Sequence, residues 1–563
     1  MPFFIPELAC RKPDLTLFGS KDKASHISPI YLCPHRFLCR TAGRSNVFRL
    51  AHIMTQLVTT SKFTKISLPA CIATAGLLSA CAVGPNFKTP EAPQGAAFAP
   101  AGQMAPQTTA APGPGGQAQR FVDGMDIPGQ WWSLFQSPEI NALIEQALAN
   151  SPTLEAAQAA LRQANETAAA QRGSYYPSVS GSVGAQRQKA SGSALGIPGF
   201  PASYYYNLDT ASVNVSYTLD AFGGTRRQVE ALQAQAEYQQ FSLEASYLTL
   251  TANIVTAAVT EASLRAQIAA TEDIAKSQQQ QLDITQRRLG AGGASRADVL
   301  QQQSILQSTL ATLPLLRKQL SQERNLLATY VGSLPSDYQG AALNLDSLTL
   351  PTDLPVSVPS KFVEQRPDVR EYSALLHQAT AQVGVATANM LPQITLTGSF
   401  GQQASTFSNI FSAGSNVWSL IGSLSQPIFK GGQLKHQRRA AIAAAQEAAA
   451  NYKATVIVAF QNVSDTLYAL HADADALAAE TSAERAAADS LAMVRAQFKS
   501  GGVSYLQVLS AQQTYQTAAV ALVKARAQRY ADTAALFQAL GGGWWNRNEA
   551  FADNAAGSPK ARR

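Results

Sequence analysis

Beyond residue 81 this chain has no cysteine and only three histidines, His377, His436 and His471, which lie far apart. The missing cysteines exclude an internal disulfide framework. The sequence also lacks His-Glu-x-x-His, Gly-x-Ser-x-Gly and a phosphate loop ending in Gly-Lys-Ser/Thr, so metal hydrolysis and nucleotide binding have no residues to stand on. No catalytic, cofactor or metal site is expected, and Asp473 and Asp475 read as a solvated helix face. Charge is scarce: 14% of the 563 residues are charged and 8% aromatic, low values for a soluble enzyme of this length. The net +7 is misleading, because residues 1–80 hold ten Lys and Arg against three Asp and Glu, while the rest carries 34 of each. A neutral body gives no support for a nucleic-acid partner.

The basic N-terminal region reads as a leader. From Met54, Lys62 and Lys65 precede a short apolar run, Ile66 to Leu78, which is too short to span a bilayer. It ends Leu78-Ser79-Ala80-Cys81, which resembles a bacterial lipobox and makes Cys81 the expected lipidation site and mature N-terminus. A covalent lipid on Cys81 is the one prosthetic group expected. Ala82, in place of an aspartate, fits export to the outer membrane. Residues 1–53 have no periodicity and read as a non-native extension. Cys33, His35 and Cys39 match no zinc spacing. After Cys81, a Pro-, Ala-, Gly- and Gln-rich stretch reads as a linker to about residue 130.

The remainder is duplicated. Tyr176-Pro177-Ser178-Val179 matches Leu391-Pro392-Gln393-Ile394, Ala221-Phe222-Gly223-Gly224 matches Ile428-Phe429-Lys430-Gly431-Gly432, and Gly292–Leu300 matches Gly501–Leu509. The landmarks keep an offset of roughly 207–215 residues and one order, which marks an internal repeat. The expected division is a signal peptide at 54–80, a lipidated linker at 81–130 and a first repeat at 131–334. A belt segment at 335–359, a second repeat at 360–545 and a disordered tail at 546–563 follow.

Each half reads as helix, two strands, long helix, turn, helix. In Thr210–Leu219, Ala211, Val213, Val215, Tyr217 and Leu219 alternate with small polar residues, and Gln393–Gly401 repeats the pattern. Ser178–Gln186 and Val417–Gln426 are weaker versions. Uncharged strands of this kind suit a membrane barrel, but four cannot close one. Three copies would give twelve strands. Thr225–Leu289 and Gln433–Ser500 contain no Gly or Pro inside and predict helices of about 100 Å. Apolar stripes at spacings of three and four, Leu243 to Ile268 (skipping Glu261) and Phe460 to Leu477, predict coiled-coil packing. Partner helices of about half that length are expected at Arg296–Tyr330, Lys361–Leu391, Tyr505–Leu540 and Pro138–Arg172. The first two would stack along one long helix and the last two along the other.

Cys81-Ala82-Val83-Gly84-Pro85-Asn86-Phe87, Trp131-Trp132, Glu364–Val369, Pro392, Phe429–Gly432, Val508-Leu509 and Ala539–Trp544, in this order, resemble the lipoprotein branch of the TolC-like outer-membrane efflux proteins. The resemblance implies a mixed α and membrane-β fold: a homotrimer with a twelve-stranded barrel and an α-helical tunnel reaching into the periplasm. It implies docking on a periplasmic adaptor and an inner-membrane pump of the resistance-nodulation-division type. The function implied is passive conduction of small molecules, drugs or other toxic compounds, to the outside. Type I protein secretion and metal export are the alternatives. In that family the tunnel closes at its periplasmic tip, here Gly290–Ser295 and Ser500–Ser504. Family members often carry acidic residues just after the second turn, where this chain has Gln507 and Ser510. Arg296, Asp298, Phe498 and Tyr505 are the other tip candidates, with pairing of Arg296 and Asp298 across protomers as an expected latch.

Overall fold

The computed structural model describes residues 82–91, 97–98, 105–192, 198 and 201–547. The leader, Cys81 and most of the C-terminal tail lie outside these residues. Two 67-residue helices dominate: α3, Gly224–Gly290, and α7, Gln433–Lys499. Each extends about 100 Å. The other helices are α1 (Pro138–Asn150), α2 (Pro152–Arg172), α4 (Arg296–Tyr330), α5 (Pro359–Gln365), α6 (Pro367–Ala388) and α8 (Tyr505–Ala539).

The upper partner helices are each broken where the sequence predicts one helix. Pro138–Arg172 divides at Ser151, and Lys361–Leu391 divides at Arg366. Both breaks precede a proline, whose ring forces the preceding residue into extended backbone; ψ is 117° at Ser151 and 125° at Arg366. The stacking also differs. α4 and α6 both pack on α3, as expected, but α2 packs on α3 and not on α7 within the chain. α7 is flanked by α8 and α6. The α7 stripe is as expected, with Val463, Leu467, Leu470, Ala474 and Leu477 buried. The gap in the α3 stripe is not a gap: Glu261 is fully buried, held by Arg265 at 2.7 Å.

Four strands form one antiparallel sheet in the order β2 (Ser178–Ser191), β3 (Ser203–Leu219), β5 (Gln393–Ala404), β6 (Asn416–Ser425). The register aligns Val179 with Val215, Val213 with Phe400, and Phe400 with Trp418. Period-two alternation therefore gathers Val179, Val183, Val213, Val215, Leu396, Phe400, Trp418, Leu420 and Leu424 on one face, all exposed. The opposite face is rich in Ser, Thr and Asn and is bonded across strands, as Ser182 to Ser212 at 2.9 Å and Ser399 to Ser419 at 2.7 Å. The outer edges of β2 and β6 have no strand beside them among the described residues.

A belt crosses the middle of the helices. In it β1 (Arg120–Asp123) runs parallel to β4 (Asp353–Val356). Trp131, Phe135, Phe362, Tyr530 and Phe537 are fully buried beneath it, and Trp131 stacks on Phe537 at 5.3 Å. Arg529 is also fully buried. It ties α8 to the linker by donating to Thr108 Oγ1 and to the Gly115 and Gln117 carbonyls.

Candidate functional site

The two long helices end in the same way. At the end of α3, Gly292 takes φ 74°, its N–H donates to Leu289 and Gly293 N–H donates to Arg288. At the end of α7, Gly501 takes φ 80°, its N–H donates to Phe498 and Gly502 N–H donates to Gln497. This paired closure needs a residue in the left-handed region, which glycine occupies without penalty. The next helix then begins at a serine, Ser295 or Ser504.

Beyond those serines the tips differ. Ser295 Oγ accepts from Asp298 N–H at 3.1 Å, and Asp298 Oδ2 accepts from Ser295 N–H at 2.9 Å and from its hydroxyl at 2.8 Å. The Asp298 carboxylate is thus engaged in a capping box. Arg296 beside it is exposed and makes no ion pair among the described residues. Ser504 makes no side-chain cap bond; the Gln507 N–H donates instead to the Ser504 carbonyl, at 3.1 Å. Gln507 and Ser510 are exposed on one side of α8, while Tyr505, Val508 and Leu509 are buried on the other. Ile305, Val494 and Phe498 pack against that buried trio.

Tyr505 joins the two halves. Its hydroxyl donates to Gln302 Oε1 of α4 at 2.6 Å and accepts from Thr285 Oγ1 of α3 at 3.3 Å. Gln302 is itself fully buried and donates to the Gln278 carbonyl at 2.9 Å. The Tyr505 ring meets Phe498 at 5.3 Å, and the Arg288 guanidinium lies over Phe498 at 4.8 Å. Burial pushes the Tyr505 phenol up, so it stays a neutral donor. The structure therefore brings Phe498 and Tyr505 together, engages Asp298 locally, and leaves Arg296, Gln507 and Ser510 at the surface. Gln302, Thr285 and Arg288 were not singled out from the sequence. Gln302 sits in a Gln-rich helix where nothing local separates a buried glutamine from an exposed one.

Two further polar clusters stand above the tip. Asp473 is half-buried and faces Asp532 and Arg529, which corrects the reading of a solvated face; Asp475 remains exposed. Burial first, and then Asp532, push the Asp473 carboxyl up to about 8. Near the sheet, Arg227 is buried and donates to Asn86 Oδ1 at 2.6 Å, to the Val83 carbonyl at 3.2 Å and to Glu230 at 2.7 Å. Phe87 stacks on His377 at 4.4 Å, and His377 Nε2 meets Glu230 at 3.0 Å. The segment that follows Cys81 is thereby fixed to α3 and α6. Gly384 permits this, since a Cβ there would lie 2.9 Å from the Val83 carbonyl.

Among the described residues no group of three or more His, Cys, Asp or Glu could hold a metal ion, and no helix is long and apolar enough to cross a membrane.

The sequence profile of the family described as outer membrane efflux protein matches residues 143–333 and 358–542. The chain is 29% identical over 485 residues to the probable efflux pump outer membrane protein TtgC of Pseudomonas putida, covering 85% of this chain and 96% of that one. It is 30% identical over 437 residues to the pyoverdine export outer membrane protein OpmQ of Pseudomonas aeruginosa, covering 76% and 90%. The outer-membrane channel OprN superposes with a TM-score of 0.74 at 25% identity, over 82% of this chain and all of that one. The chain belongs to the outer membrane efflux protein family and is the outer-membrane channel of an efflux system, a passive conduit and not an enzyme.

Proposed function

We propose that three copies of this chain close a twelve-stranded barrel in the outer membrane, continued by an α-helical tunnel into the periplasm. The observation that carries this is the four-stranded sheet with an apolar exposed face and two open edges. In lipid each unpaired backbone group on those edges costs several kcal/mol, so the edges must be covered. A cyclic arrangement pairs β6 of one copy with β2 of the next and leaves no edge. The Ser-, Thr- and Asn-rich face then lines the lumen, as a water-filled pore requires.

The anchor fits the same placement. Ala82 packs against Gly223 at the turn from β3 to α3, and Val83 N–H donates to the Phe222 carbonyl at 3.1 Å. A lipid on Cys81 would enter the membrane at the periplasmic rim of the barrel. At the far end, Tyr505 and its partners act as the latch of a closed tip, which opens when the second hairpin swings away. A periplasmic adaptor and a resistance-nodulation-division pump deliver the cargo, small toxic compounds such as drugs. The mature chain is poor in Met and His, which disfavours dedicated metal export.

The test is the native mass of the purified protein with its conductance in a planar bilayer. A trimer with small, gated conductance is expected. A monomer that does not conduct would overturn the shared barrel.

A further inference from the structure

The two repeats treat the start of their long helices in opposite ways. In the first, Asp220 accepts from Thr225 and Arg226 N–H at 2.9 and 3.0 Å and pairs with the Arg226 side chain at 3.2 Å, while Glu230 pairs with Arg227. Both arginines are thus neutralised within the chain. In the second repeat, where the long helix starts 209 residues on, Glu230 is replaced by Arg439 and Arg226 corresponds to Lys435, and the preceding turn, residues 427–432, holds no counterpart of Asp220. The segment 427–446 holds Lys430, Lys435, His436, Arg438 and Arg439 and no acidic residue. All five are exposed, and Lys430, Lys435, Arg438 and Arg439 make no ion pair among the described residues. Arg438 donates to Thr387 on α6 at 3.3 Å. The elements alongside supply no counter-charge: α6 has no acid after Glu371, and β6 has no charged residue.

Four cations at a helix start oppose the helix dipole, which favours anions there. No ion pair among the described residues offsets that cost. Leu424, on the apolar face of β6, is 70% exposed, and Ile428 and Phe429, which follow the strand and lead into the cations, are 94% and 87% exposed. The cations point to a definite side of α7. Thirty-six residues, roughly ten turns, separate Lys435 from His471 and Arg439 from Asp475, so each pair shares one azimuth. His471 packs on Phe121 at 5.2 Å and Asp475 accepts from Thr109 at 2.6 Å, both belonging to the belt. Lys435 and Arg439 therefore lie on the belt side of α7, which is the outside of the proposed tunnel.

We propose that Lys430, Lys435 and Arg439 form a headgroup site for an anionic phospholipid of the periplasmic leaflet, with its acyl chains on Phe429, Ile428 and the apolar face of β6. The site rests on the barrel reading above. Long basic side chains just beneath an apolar band reach up to the interface and attract anionic headgroups. Each copy contributes one site, distinct from the lipid expected on Cys81.

The experiment is native mass spectrometry of the mature trimer, released from detergent after equilibration with phosphatidylglycerol or with phosphatidylcholine. The chain's own lipid is covalent and survives denaturation, so it is not confused with a bound one. The trimer is expected to retain phosphatidylglycerol in preference to phosphatidylcholine. Lys435→Gln with Arg439→Gln should reduce that retention about thirtyfold, the ratio given by ~1 kcal/mol for each basic residue beside an anionic leaflet. Lys318→Gln with Lys524→Gln, on α4 and α8 away from the sheet, should leave it unchanged. Equal retention by the Lys435 and Arg439 variant overturns the proposal. So does displacement of the lipid by excess inorganic phosphate, which would mark a site for free anions. A variant that falls to monomers overturns it too and assigns these cations to a second copy of the chain. A wild-type protein that is itself monomeric would instead fail the barrel reading.

Discussion

Replacing Tyr505 by Phe removes one oxygen and leaves the ring against Phe498 in place. Gln302 Oε1 then loses the donor that reaches it at 2.6 Å. Gln302 is fully buried, so no water replaces the lost bond. Thr285 is less affected, because its single hydroxyl proton has a nearer acceptor in the Gln281 carbonyl at 2.9 Å. One orphaned buried acceptor costs about 1–3 kcal/mol. In a trimer whose three hairpins open together the cost triples, to about 3–9 kcal/mol, and even the lower bound shifts a two-state equilibrium on the order of a hundredfold. The assay is the fraction of time that single trimers spend in the large-conductance state in a planar bilayer. Tyr505→Phe should raise it by at least that factor, or to saturation. Adding Gln302→Leu removes the orphaned acceptor, and removing both partners of a buried bond is nearly neutral. The double variant should therefore return most of the way toward wild type. Wild-type gating in intact Tyr505→Phe trimers would refute the reasoning, as would a double variant no different from the single one.

Other perturbations test the clusters above the tip. The raised Asp473 carboxyl binds a proton in the folded state at a pH where the unfolded chain has released it, so stability falls as pH rises from about 4 through about 8. Asp473→Asn should raise the melting temperature at pH 8 and change it little at pH 5; no gain at pH 8 would dismiss the buried pair. Arg227→Met leaves Asn86 and the Val83 carbonyl without their donor, so limited proteolysis should cut within residues 82–91 much faster than in wild type. The His377 pKa is raised, chiefly by its bond to Glu237, and then by Glu230, so that contact stabilises the junction below pH 6.5 and is lost as pH rises through the raised value. Cutting at residues 82–91 should accordingly quicken above neutral pH, and His377→Gln should abolish the pH trend. Trp131→Ala empties a fully buried site stacked on Phe537 and should cost about 3–5 kcal/mol, read as a fall in the unfolding temperature of the trimer.

The long elements were legible because their signals are long. Sixty residues without an internal Gly or Pro can be little else but helix, and period-two alternation in Thr210–Leu219 fixes which side chains share a face. The helix breaks were less visible, since Pro152 and Pro367 are tolerated at a helix start as readily as they end one. The Asp473 site could not be read from its own neighbours in sequence. Asp532 and Arg529 lie more than fifty residues away, and only the antiparallel packing of α7 and α8 brings them together. Tyr505 was legible as a tip residue from its place after the second glycine turn. Its partners were not, because Gln302 and Thr285 come from the other repeat.

Duplication explains why the latch takes this form. Both tips inherit the same glycine closure, at Gly292 and Gly501, and the same serine one turn start later. Their difference lies at the matched positions Arg296 and Tyr505, and Asp298 and Gln507. The first hairpin is fastened to itself by its capping box, a contribution of about 1 kcal/mol that does not depend on the partner repeat. The second hairpin gives up that local bond and takes a tyrosine whose hydroxyl is satisfied only across the repeat boundary, on Gln302 and Thr285. Its order therefore depends on contact with the first hairpin. A force that separates the two melts no capping box in the first and releases every bond of Tyr505 in the second. The second hairpin is the one expected to move, and hydrogen exchange at residues 500–510 should outpace exchange at 291–301 in the same trimer.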